Sequence, residues 1–163
     1  MKVATAVLAL ALSVSAVAAA QPVGLGVGAG IALPHGEATE LVSESLEASF
    51  AWGYYVNIPL VSTFHVVPST TLYLLNGENA TDLDLAFKFI IPLGDLSLYA
   101  GLSPGLTTVS ETTAPHLGIL GGTSFRLLSN VDLFVDGVYS FLFAEAGSAR
   151  VFRISAGALF RFQ

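Results

Sequence analysis

The sequence predicts an all-β fold: eight antiparallel strands closed into an up-and-down transmembrane barrel. Three observations carry this reading. Eight segments alternate apolar and polar residues with period 2, separated by turn residues. Most approach the ~9–11 residues that a tilted strand needs to cross a bilayer, against ~5–6 in soluble strands. The chain is also 53% hydrophobic and only 11% charged, where a soluble domain averages about 25% charged residues. Something other than water must cover much of such a surface.

The chain opens with Lys2, an apolar run over 3–17, and Ala18-Ala19-Ala20 before Gln21-Pro22. A basic start, an apolar centre and a small-residue cleavage site predict a signal peptide over 1–20. The run is about 15 residues, short of the ~20 that a spanning helix needs. The barrel then occupies 21–163.

The first strand, 23–33, sets Val23, Leu25, Val27, Ala29, Ile31 and Leu33 against Gly24, Gly26, Gly28, Gly30 and Ala32. The second, 48–58, puts Phe50, Trp52, Tyr54, Val56 and Ile58 on one face. The third covers 63–75 and the fourth 82–91, with Leu83, Leu85, Phe87, Phe89 and Ile91 outward. The fifth, 96–107, turns Leu96, Leu98, Ala100, Leu102 and Leu106 outward. The sixth covers 116–127. The seventh, 131–143, presents Val131, Leu133, Val135, Tyr139 and Phe141, and the eighth runs over 150–162. Pro68 and Pro104 fall inside strands, where Pro cannot donate to the ladder, and a bulge or kink is expected at each.

Connections are expected to alternate. Those over 34–47, 76–81, 108–115 and 144–149 are long, and those over 59–62, 92–95 and 128–130 are short. Long loops on one side and short turns on the other fit a membrane barrel, with both termini on the short-turn side. Glu37, Glu40, Glu44, Glu47, Glu78, Glu111 and Glu145 make the long-loop side acidic. This predicts weak binding of divalent cations there, and the net charge of −6 argues against a nucleic-acid partner.

The in-strand charges share the polar face: Asp84, Lys88, Arg126, Asp132, Asp136, Arg153 and Arg161. Counting outward from the turns sets Asp132 between Arg126 and Arg161 near the short-turn end. Lys88 and Asp136 belong to the same interior polar set, with Tyr99 beside Lys88. An eight-stranded barrel has an interior only wide enough for its own side chains. These residues are therefore expected to plug the lumen rather than line a channel. The inward glycines leave room for bulk, with Tyr55 opposite Gly26 and Arg161 opposite Gly24.

Other motifs fail on context. The glycine-rich 24–30 stretch has no helix after it, so no dinucleotide site is expected. Asn79-Ala80-Thr81 matches a glycosylation sequon and marks a surface loop. His35, His65 and His116 lie on separate elements, and no metal or other cofactor is expected. There is no Cys, which excludes disulfides and thiolate chemistry.

The final strand carries the most specific pattern: polar, any, Gly, any, any, aromatic, any, aromatic. Ser155, Gly157, Phe160 and Phe162 match it, with Gln163 following. This resembles the barrel-assembly signal of bacterial outer-membrane proteins. With the signal peptide and eight segments, the chain resembles the small OmpA/OmpX-like barrels. The resemblance implies a monomer in the bacterial outer membrane, contacting lipid and the barrel-assembly machinery, with acidic extracellular loops and periplasmic termini. Members are structural, adhesive, defensive against host factors or lipid-modifying, and fold does not choose among these.

The leading expectation is a non-enzymatic structural or surface-interaction protein. One alternative is a lipid-modifying enzyme. Barrel-borne lipid deacylases carry His and Ser two apart on one strand. Here Gly118 follows His116 and Val67 follows His65 at that distance, leaving only pairings such as Ser43 or Ser110 with His35 or His116. The other alternative is a soluble secreted barrel holding an apolar ligand, which would carry its charges outward instead.

Overall fold

The computed structural model describes residues 22–35, 48–74, 79–109, 112–144 and 147–162. They form eight strands: β1 (Val23–His35), β2 (Ser49–Val61), β3 (Phe64–Leu74), β4 (Asn79–Leu93), β5 (Leu96–Val109), β6 (Thr112–Leu128), β7 (Val131–Ala144) and β8 (Gly147–Phe162). Each pairs antiparallel with the next, and β1 pairs with β8 to close the barrel. Closure leaves no free sheet edge, so the backbone donors and acceptors are satisfied without water, as a bilayer demands. The predicted signal peptide at 1–20 and the acidic residues Glu37, Glu40, Glu44, Glu47, Glu78, Glu111 and Glu145 lie outside the described residues.

The period-2 pattern sorts side chains as expected. Leu25, Val27, Phe50, Tyr54, Leu83, Phe89, Leu102, Ile119, Val135 and Phe160 are exposed on the outside. Soluble monomers rarely expose contiguous apolar patches beyond a few hundred Å², and this one encircles the molecule. Inside, Asp82, Asp84, His116, Asp136 and Arg153 are buried. The polarity is that of a barrel solvated by lipid.

Glycines make the narrow lumen passable to aromatic rings. Gly28 and Gly157 pair across the β1–β8 seam. A Cβ on Gly28 would lie 3.0 Å from Phe134 Cζ, and one on Gly157 would lie 2.6 Å from it. Gly122 opens the same kind of space for Tyr99, whose Cζ would be 2.7 Å from an added Cβ. Gly94 is needed for conformation instead: its φ of 76° sits in the left-handed region that favours glycine, and it turns β4 into β5.

The structure corrects three expectations. No bulge forms at Pro68 or Pro104; the register shifts lie at Pro59/Val61 and Arg126/Leu128, beside turns. Pro68 still pairs with Leu85, and Pro104 with Leu117, in unbroken register. On each proline's other side, the ladder instead skips the pairs between Tyr55↔Ser69 and Ile58↔Val66, and between Asp84↔Gly105 and Phe87↔Leu102. A missing N–H is absorbed as a gap, because a one-residue slip would turn every later side chain to the wrong face.

The long connections are also shorter than predicted, apart from the first. β4 already starts at Asn79, β5 runs to Val109 with β6 from Thr112, and β7 runs to Ala144 with β8 from Gly147. These stretches are polar and lose the apolar alternation, yet they pair; Thr108 and Thr113 hydrogen-bond through their hydroxyls at 3.0 Å. Strands that continue beyond the bilayer into water need no lipid face, so their pattern reads as loop. The sequon follows suit: Asn79, Ala80 and Thr81 open β4 rather than lying in a loop.

The lipid face gives a direct test. Leu102, near the middle of β5, should not tolerate a charge, whereas Leu128 at the turn end should. In lipid vesicles, Leu102→Arg should cost about 2–4 kcal/mol and Leu128→Arg about 0–1. Denaturant unfolding followed by the fluorescence of Trp52 measures both, and equal costs would refute a membrane-depth origin.

Candidate functional site

The lumen divides into three layers. At the turn end, a cavity of about 370 Å³ opens between Pro22, Pro59, Ser62, Pro92, Arg126, Asp132 and Arg161. Asn57, His65, Ser97 and Ser124 line its wall, and His65 Nδ1 lies 3.0 Å from Asn57 Oδ1. Arg161 Nη2 forms an ion pair with Asp132 Oδ1 at 3.1 Å and donates to the Ser129 carbonyl at 3.1 Å.

The register sets Arg126 opposite Asp132, as the β6–β7 turn dictates. It does not set Arg161 opposite Asp132. The residue paired with Asp132 is Leu159, and Arg161 reaches the carboxylate diagonally from two residues on. The cause is the tighter β7–β8 connection, in which Ala144 pairs with Gly147. Shortening that connection slips the register by an even step and keeps every face. The register also puts Tyr55 opposite Gly26 and Arg161 opposite Gly24.

Above the cup lies an apolar waist. Tyr55, Val67, Ala86, Tyr99, Leu120 and Val138 pack as one buried cluster against Ile90 and Phe134. Tyr55 and Phe134 meet edge to face at 5.4 Å, a preferred aromatic geometry. Lys88 and Asp136 sit here, with Lys88 also lining the inner end of the cavity. Their ion pair spans 3.7 Å, and Lys88 Nζ lies 4.4 Å from the Tyr99 ring centroid. The five interior residues read from the sequence therefore split into a rim trio and a waist pair.

The loop-side half holds a network that the sequence reading did not assemble. Asp82 accepts from Tyr73 OH at 2.5 Å and from Thr107 Oγ1 at 2.7 Å. Asp84 Oδ1 accepts from Ser103 Oγ at 2.9 Å and contacts His116 Nε2 at 2.8 Å. His116 Nδ1 lies 2.9 Å from Thr107 Oγ1. Arg153 Nη1 donates to Thr71 Oγ1 at 2.9 Å and to Tyr73 OH at 2.8 Å, with Asp82 Oδ2 at 3.9 Å.

Donor counting sets the charge of His116 for the state in which Asp82 and Asp84 are both ionised. A carboxylate only accepts, so the single hydroxyl proton of Thr107 goes to Asp82. The ring must then donate to Thr107 from Nδ1 and to Asp84 from Nε2. His116 is an imidazolium, and with Arg153 it balances Asp82 and Asp84.

Asp82, Asp84 and His116 converge closely enough to suggest a metal centre, built from one histidine and two carboxylates while the three histidines stay on separate elements. In this arrangement both ring nitrogens donate, leaving His116 no lone pair for a metal. The group ties β3, β4, β5, β6 and β8 together across the lumen, with Asp84 Oδ2 and Arg153 Nε buried and without a hydrogen-bond partner. Ser43 and Ser110, the other proposed partners for histidine, lie outside the described residues.

The sequence did carry hints of this network. Asp82 and Asp84 share one face of β4, Thr71 and Tyr73 one face of β3, and Ser103 and Thr107 one face of β5. The assembly-signal residues divide by face. Phe160 and Phe162 are exposed outward, Ser155 is buried, and Gly157 adjoins Phe134.

No protein-family model matches the sequence, and no curated protein matches it. Solved structures do match its shape. Neisserial surface protein A superposes with a TM-score of 0.70 at 17% identity, covering 86% of this chain and 97% of that one. Ail, the attachment invasion locus protein of Yersinia pestis, gives 0.56 at 14% identity over 87% and 99% of the two chains. The outer membrane enzyme PagL gives 0.52 at 9% identity over 81% and 97%. The chain has the fold of the small outer-membrane barrels. That fold hosts both an enzyme and proteins named for surface location or attachment, so it does not decide function.

The two charge groups should differ sharply in energetic weight. Arg153→Met strips buried Asp82 of its cation and should cost about 3–5 kcal/mol. Arg161→Gln breaks a partly solvated pair and should cost about 1 kcal/mol or less. Unfolding in vesicles measures both, and equal costs would show that the loop-side network does not hold the barrel together.

Proposed function

We propose that the chain is a non-enzymatic integral protein of the bacterial outer membrane, with a structural or surface-interaction role. The observation that carries this reading is the combination of an apolar exterior with a lumen sealed at two levels, by the waist and by the network above it. A side-chain-filled lumen of eight strands leaves no diffusion path. His116, held between a hydroxyl and a carboxylate, has no lone pair with which to act as a base when Asp82 and Asp84 are ionised, and a Thr-His-Asp nucleophile would require one.

In this reading the turn side and both termini face the periplasm, and the barrel is a monomer surrounded by lipid. Phe160 and Phe162, with Ser155 and Gly157, serve the assembly machinery before the barrel closes. The acidic connections form the extracellular crown, where divalent cations bind weakly. That crown, rather than the lumen, is the surface through which the protein meets partners.

Four measurements test the proposal. The protein should require detergent for extraction and should migrate as a compact band on gels until heated. Planar bilayers should show no large, stable conductance. His116→Ala with Asp84→Asn should leave the lipid A mass spectrum of the producing cells unchanged. Extraction in plain buffer would refute membrane residence, steady conductance would refute the seal, and an altered lipid A profile would reveal an enzyme.

A further inference from the structure

The cup at the turn end is more than the lower half of a plug. The chain has six Lys and Arg residues and a net charge of −6, yet three of those cations, Lys88, Arg126 and Arg161, line this one cavity. Asp132 is the single carboxylate in the lining, and it is engaged by Arg161. Asp136 answers Lys88 from the waist.

Arg126 feels Asp132 only as a nearby charge, and its guanidinium makes no ion pair or side-chain hydrogen bond among the described residues. Arg161 Nε is buried and likewise without a hydrogen-bond partner. Two guanidiniums with unused donors therefore flank the mouth. Behind them stand the Tyr55 and Phe134 rings and Leu159. The volume of about 370 Å³ falls within the ~300–1,000 Å³ of small-molecule pockets.

We propose that the cup binds a small phosphate ester, its oxyanion held between Arg126 and Arg161 and its uncharged body resting against Tyr55 and Phe134. Phosphate suits the site better than carboxylate. A monoester carries about −1.5 to −2 charge at pH 7 and three strong acceptor oxygens, enough for two planar guanidinium forks at once. The flanking Ser62, Ser97 and Ser124 and the Asn57–His65 pair supply neutral hydrogen-bonding groups around the body. The ligand is either a free phosphate monoester or a lipid whose headgroup is a phosphomonoester, since both present the same group at this mouth.

The test uses the folded full barrel in phosphatidylcholine nanodiscs at constant ionic strength set with chloride. Glycerol 3-phosphate and inorganic phosphate are titrated in, and the arginine Nε–H resonances are followed. Saturable one-to-one binding is expected, with glycerol alone inert. Arg126→Gln should weaken it by about tenfold or more, the loss of one charged hydrogen bond. Asp132→Asn should tighten it several-fold, because the competing carboxylate is gone.

Both variants should keep the compact unheated gel band, which separates loss of binding from loss of fold. Repeating the titration in nanodiscs that contain phosphatidic acid, whose headgroup is a phosphomonoester, assigns the source. A weakened apparent affinity means that lipid headgroups compete for the site, and an unchanged one means a free ester. Shifts that never saturate, shifts that chloride reproduces, or an Arg126→Gln affinity equal to that of the parent protein would overturn the proposal. Because the site opens to the turn side and only rests on the lower surface of the waist at Tyr55 and Phe134, its failure leaves the membrane and seal tests untouched.

Discussion

Everything inside this molecule answers to one constraint: eight strands, once closed, enclose a lumen of fixed and narrow width. The ladder cannot open locally without exposing backbone groups, and lipid offers them no partner. Every inward side chain must therefore find its volume and its partner within a cross-section only a few side chains wide. Gly28 and Gly157 yield space so that Phe134 can enter, and Gly122 does the same for Tyr99. Two prolines are accommodated as gaps in hydrogen bonding, because a shift in register would cost a whole strand its orientation.

The same narrowness dictates the electrostatics. A charge in the lumen is cut off from water, and removing an ion from water costs several kcal/mol unless a partner and hydrogen bonds repay it. Each lumen carboxylate accordingly has a cation: Asp82 has Arg153, Asp84 has His116, Asp136 has Lys88 and Asp132 has Arg161. The hydroxyls of Tyr73, Ser103 and Thr107 satisfy further lone pairs of the deepest two. Removing any one cation strands a carboxylate, so the pairs behave as units.

The fold was legible because its signals are local. Alternation, strand length and the closing pattern at Ser155, Gly157, Phe160 and Phe162 need no knowledge of neighbours. Strand ends were less legible, since polar residues such as Thr108 and Thr113 pair as strands where no lipid demands an apolar face. The rim trio was readable because Arg126 and Asp132 flank one short turn, whose register the sequence fixes. The loop-side network was not. Arg153 meets Thr71 and Tyr73 across the lumen, and which residues face each other there depends on the stagger of the closed barrel. His116 looked isolated for the same reason: its carboxylate partner lies two strands away, on β4.

The pairing rule also explains why the surplus cation sits where it does. Among the described lumen charges, Arg126 alone lacks an ion-pair partner, and it stands at the mouth, where water reaches it. In the loop-side half an unmatched guanidinium would face the full desolvation cost; at the rim it faces little. A barrel needs charges at its centre only for mutual satisfaction, so an unmatched charge can persist only at an end. The turn-side mouth is thus where a guanidinium without an ion-pair partner, reached by water, can engage something outside the chain. Sealing and recognition are separated by the apolar waist, which isolates the balanced network from whatever binds below it.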